Sequence, residues 1–91
     1  KRMKMEKLLR KLIHETLYVI LDINGIQESK RELTGNHPTA FFEFSGHVAN
    51  VYIQVYEKGW DGINNSDYFA NVSIFQENKL KSILKEARRV K

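Results

Sequence analysis

The hydrophobic period of this chain changes twice along its length. At both ends apolar residues recur every three or four positions, and in the middle they recur at every second position. The first spacing puts them on one side of a helix and the second on one face of a strand. The chain is thereby committed to helices flanking a sheet.

In the first segment Leu8, Leu9, Leu12, Ile13, Thr16, Leu17 and Ile20 form the buried stripe, with Lys4, Lys7, Lys11 and Tyr18 opposite. Asn24-Gly25 closes it, because glycine accepts the left-handed backbone that ends a helix. Residues 26–33 form a short, half-charged segment that reads as two helical turns or an ordered loop. Pro38 biases His37 toward extended backbone.

Three strands follow. Ala40, Phe42 and Phe44 alternate with Thr39, Phe41 and Glu43, and Ser45-Gly46-His47 supplies the turn. Ala49, Val51, Ile53 and Val55 then alternate with Asn50, Tyr52, Gln54 and Tyr56. The third strand sets Ala70, Val72 and Ile74 against Phe69, Asn71, Ser73 and Phe75. In the final segment Leu80, Ile83, Leu84, Ala87 and Val90 make a buried helical stripe, with Lys81, Lys85 and Arg88 roughly opposite. Each helix has one apolar side to cover, and the sheet has one core face. The expectation is an α+β domain over residues 1–91. It is an α-β-β-β-α two-layer sandwich, with two helices on one face of a three-stranded antiparallel sheet.

A chain of 91 residues buries roughly 64% of its unfolded surface, enough for one modest core. Cysteine is absent, which rules out disulfides and thiolate chemistry and suits a cytoplasmic setting. No run approaches the length of a membrane span. The basic start is not expected to be a secretory leader, because His14 and Glu15 interrupt the apolar run behind it. Since the chain opens on Lys1, its natural start lies upstream, is trimmed, or falls at Met3 or Met5. The net charge of +4 is unevenly spread. Residues 1–11 carry six basic side chains and one acidic; residues 77–91 carry six and two; the stretch between carries three and eight. Charge separated in this way can draw a polyanion to one surface, or can be two solvated helix faces.

The loop "KGWDGINNSD", residues 58–67, holds the only tryptophan. Asp61, Asn64, Asn65 and Asp67 crowd oxygen ligands together, but the spacing is wrong for a calcium loop: the third position from Asp61 is Ile63 and the twelfth is Val72. Gly59, Gly62, Asn64 and Asn65 suit a bent connection between strands. Trp60 then either seals one end of the core or stands out as a contact anchor.

Nothing points to catalysis. His14, His37 and His47 are scattered without ligand spacing. Ser45 and His47 are explained by the turn, and Gly59-x-x-Gly62 lacks the lysine and helix of a phosphate loop. No cofactor or metal is expected. The outward sheet face is different, because Phe41, Tyr52, Tyr56 and Phe69 are more aromatics than a solvated face needs. With Trp60 they form the expected partner-binding set, for a protein partner or a second copy.

Two resemblances extend this reading. The α-β-β-β-α order resembles the double-stranded-RNA-binding domain, with Gly46-His47 in the matching turn and Lys79 and Lys81 near the start of the last helix. Taken with the basic faces of the two helices, it gives an alternative nucleic-acid-binding set of Lys4, Lys7, Lys11, His47, Lys79, Lys81, Lys85 and Arg88. The turn lacks that family's proline, and its lysine cluster becomes "ENKLKSILK". The stretch "FFEFSGHVANVYIQVYEKGWDG" is similar to small proteins of phages and mobile elements of Gram-positive bacteria. That likeness implies an accessory or inhibitory binding protein, of the kind that includes anti-CRISPR proteins.

Overall fold

The computed structural model describes the backbone of residues 2–91 and the side chains of residues 6–91. The side chains of Lys4 and Met5 lie outside the described residues. The order is α1 (Arg2–Asn24), α2 (Arg31–Thr34), β1 (Thr39–Ser45), β2 (Asn50–Tyr56), β3 (Tyr68–Ser73) and α3 (Glu77–Val90). The expected α-β-β-β-α sandwich is present, with the ambiguous segment resolved as one short helical turn, α2. No helix among the described residues is long and apolar enough to cross a membrane.

The sheet is an antiparallel meander in the order β1-β2-β3. Phe42 lies opposite Ile53, and Ile53 opposite Ala70, so one face of all three strands is apolar. Both long helices cover that face. Val51, Ile53 and Val55 of the central strand are sealed beneath Leu9, Leu12, Val19 and Ile20 of α1 and Leu80, Ile83, Leu84 and Ala87 of α3. The buried Thr16 hydroxyl donates to the Leu12 carbonyl at 2.7 Å, which removes the cost of a polar group in the core.

The two helices run in the same direction. Arg88 pairs with Glu15 and Lys91 with Asp22, while Lys81 and Leu84 border one groove with Leu8 and Lys11. At 23 residues α1 is roughly 34 Å long and accounts for much of the 47 Å long axis.

Three expected assignments shift. Leu17 belongs to a flanking stripe of α1 rather than the buried one, and is 42% exposed. Ala49 is not a core-facing strand residue. It sits at φ 53° in the β1–β2 turn, its carbonyl accepting the Ile74 N–H at 2.9 Å. Ile74 and Phe75 fall beyond β3, because the chain turns there into α3. Gln76 Oε1 accepts the Ser73 N–H, and Ser73 Oγ accepts the Phe75 N–H.

Candidate functional site

Trp60 is placed by its backbone. β2 ends at Tyr56, and the Gly59 N–H closes a turn onto the Tyr56 carbonyl at 3.1 Å. Gly59 is buried at φ 89°, and a Cβ there would come within 2.8 Å of the Gly35 carbonyl oxygen. Only glycine lets these two backbone segments approach so closely. The next residue is pinned from both sides: the Trp60 N–H donates to Thr39 Oγ1 at 3.1 Å, and its carbonyl accepts the Arg31 N–H at 2.8 Å.

Arg31 is the hub of this loop. Its Nε donates to the Lys58 carbonyl at 2.9 Å, its Nη2 to the Gly59 carbonyl at 3.3 Å, and its Nη1 pairs with Asp61 Oδ2 at 3.0 Å. Asp61 in turn organises the loop beyond. Its Oδ1 accepts the N–H groups of Ile63 and Asn64, both at 2.9 Å, and its Oδ2 accepts from Asn64 Nδ2 at 2.7 Å. These backbone donors from Asn64 and Ile63, with Arg31 nearby, hold the Asp61 carboxyl below its ordinary range. The oxygen-rich loop is therefore tied together by hydrogen bonds of its own. Among the described residues no group of three or more His, Asp or Glu side chains is placed to hold a metal.

The indole does not seal an end of the core. It lies on the outer face of the sheet, against Phe41, with ring centroids 6.3 Å apart and an interplanar angle of 67°. Phe41 meets Tyr56 edge to face at 5.7 Å, and Tyr52 meets Phe69 at 5.2 Å. The tryptophan goes outward because its backbone is bonded to Thr39 and Arg31, at the β1 end of the sheet, rather than to the helical layer. All five aromatics expected on this surface are thus on one face, in two edge-to-face groups separated by Gln54. No helix among the described residues covers them. Trp60 remains 37% exposed and Phe69 55%.

The expected basic set divides. Lys11 from α1 and Lys81, Lys85 and Arg88 from α3 line a single groove over Leu8, Leu12 and Leu84. Glu15 lies within it, 3.1 Å from Arg88 and 3.9 Å from Lys11, and Lys81 is engaged by Glu77 at 2.8 Å. Lys7 is exposed on α1 outside the groove lining, and His47 is exposed in the β1–β2 turn. Lys79 stands two residues before Lys81, about 200° around α3, so it points away from the groove. Sequence reasoning missed Arg31, Thr39 and Gly59 as the groups that position Trp60. Only Gly59 had a local signal, being a glycine directly before the sole tryptophan.

No known protein family matches this chain, and neither a curated protein nor a solved structure does.

Proposed function

We propose that this protein is a non-catalytic binding module for another protein, docking through the outer sheet face at Phe41, Tyr52, Tyr56, Trp60 and Phe69. One observation carries this reading: a tryptophan fixed by backbone bonds onto an uncovered aromatic face. Ordering such a ring before binding reduces the entropy lost on association. Clustered Trp and Tyr side chains supply large apolar area with few torsions to immobilise. The face offers Glu43 and no lysine or arginine from its own strands, which disfavours nucleic acid there. The likeness of "FFEFSGHVANVYIQVYEKGWDG" to mobile-element proteins supports an accessory or inhibitory role for the module.

The test is affinity capture from a Gram-positive bacterial lysate at about 50 and about 200 mM salt, a range over which phosphate contacts weaken steeply. A partner held at both concentrations, and lost with the Tyr52→Ala/Tyr56→Ala pair, is the expected outcome. Capture unchanged by that pair in a folded protein would sink the proposal.

A second reading rests on the convergence of Lys11, Lys81, Lys85 and Arg88 in the α1–α3 groove, which suits a phosphate backbone. Four such contacts would cost roughly a hundredfold in affinity over the same salt range. Glu15 within the groove opposes this, and leaves it the runner-up. Labelled duplex RNA, duplex DNA and single strands separate the two readings: no binding at low salt removes the second.

A further inference from the structure

At each edge of the sheet one backbone residue is satisfied by a neighbour: at the β3 edge Gln76 accepts the Ser73 N–H through Oε1 and donates its own N–H to the Ser73 carbonyl. At the β1 edge the side chain of Asn24 donates from Nδ2 to the Ala40 carbonyl at 2.7 Å, and its Oδ1 accepts the Ala40 N–H at 2.8 Å. One amide thus satisfies both backbone groups of one residue, as a peptide unit in an adjoining strand would. It follows that Ala40 turns its N–H and C=O away from β2. Hydrogen-bonding direction alternates along an antiparallel strand, so Phe42 and Phe44 turn theirs the same way. No side chain or loop among the described residues bonds those two backbones. The strand edge continues where Asn24 stops.

The surroundings say what would lie there. Counting back from Asn24, Leu21, Leu17, His14 and Arg10 follow at spacings of three and four, one stripe of α1 above the β1 edge. Its far end is fixed by Arg10 and His14, which border a hollow of about 630 Å³ with Phe44. Leu21 and Leu17 are 47% and 42% exposed, and Phe44 is 48% exposed. A strand added beside Phe42 and Phe44 would therefore meet Leu21, Leu17 and the Phe44 ring on its inward side, with His14 and Arg10 at the far end. On its outward side it would pass exposed Glu43. Backbone groups, apolar cover and a lone acid together define the ligand.

We propose that the free edge of β1, from Phe42 to Phe44, accepts an extended peptide of another protein in which apolar residues alternate with basic ones. Asn24 marks one end of this site by filling the next position itself. The ladder bonds give affinity, the leucines select apolar side chains on one face, and Glu43 selects a cation on the other. A second copy of the chain fits poorly. With Ala40 occupied, two β1 strands pair about Glu43, which places the two glutamates directly opposite each other, where like charges destabilise. The proposal concerns the edge and stands apart from the aromatic face.

The experiment titrates isotope-labelled full-length protein with a seven-residue peptide of valine alternating with lysine, followed by amide hydrogen exchange. Protection gained at the Phe42 and Phe44 amides, with the α3 amides unchanged, is the expected result. Glu43→Lys, an exposed substitution compatible with the fold, should weaken that peptide roughly fivefold and favour a valine–glutamate peptide instead. A peptide N-methylated on its bonding side should not bind. Peptide binding that leaves Phe42 and Phe44 unprotected, or no binding to a folded protein, overturns the proposal. Protection at those amides that rises with protein concentration alone would overturn it too, in favour of self-pairing.

Discussion

At the scale of single residues, backbone conformation decides more than side-chain chemistry. Gly59→Ala must force a Cβ toward the Gly35 carbonyl at a φ that L-residues avoid. It should cost about 1–3 kcal/mol in denaturant unfolding and shift the Trp60 emission as the loop gives way. Ala49 presents the opposite case, an L-residue already held at φ 53°. Ala49→Gly should stabilise the protein by about 0.5–1 kcal/mol, since relief of the left-handed strain outweighs the extra freedom of glycine when unfolded. A lower denaturant midpoint would contradict that. Asp61 makes a prediction in pH. Its folded carboxyl titrates below its ordinary value, so its contribution to the loop is complete above that value and is lost as pH falls through the lowered one. Acid titration of Trp60 fluorescence should show this step ahead of global unfolding, and Asp61→Asn should remove it.

At the scale of elements, the strands and long helices were legible because each buries one face, and burial imprints its period on the sequence. The residues that failed were those where that logic stops. Leu17 lies on the flank of α1 where the sheet has ended, so an apolar side chain remains exposed without breaking the helical period. Ile74 still packs against the core and so continues the alternation of β3, while Gln76 and Ser73 bend the backbone out of the strand. α2 has no buried residue, hence no period to read, and is held by the Arg31 contacts to the Trp60 loop. Nor was the outward placement of Trp60 readable, because it depends on partners 21 and 29 residues away, Thr39 and Arg31. By contrast α3 is fastened through its apolar stripe. Ile83→Ala, at a site only 1% exposed, should cost about 2–5 kcal/mol by thermal or denaturant unfolding.

At the scale of the whole molecule, the helical layer and the sheet present opposite chemistry to solvent. One side collects cations in a groove between parallel helices, and the other shows aromatics with a single glutamate. If the aromatic face is the docking surface, charge reversal at Lys85 should leave partner affinity within about twofold. Calorimetry at two salt concentrations would check this. A large loss would move the contact to the groove.

The parallel pairing of α1 and α3 has a consequence for how the molecule comes into being. Its strands are neighbours in sequence, but the two halves of its cover come from opposite ends of the chain, with Glu15 and Arg88 separated by 73 positions. During synthesis α1 emerges well before α3. Until α3 clears the ribosome, Val51, Ile53 and Val55 lie under half a roof, and a nascent chain interrupted there shows its core to every chaperone and protease nearby.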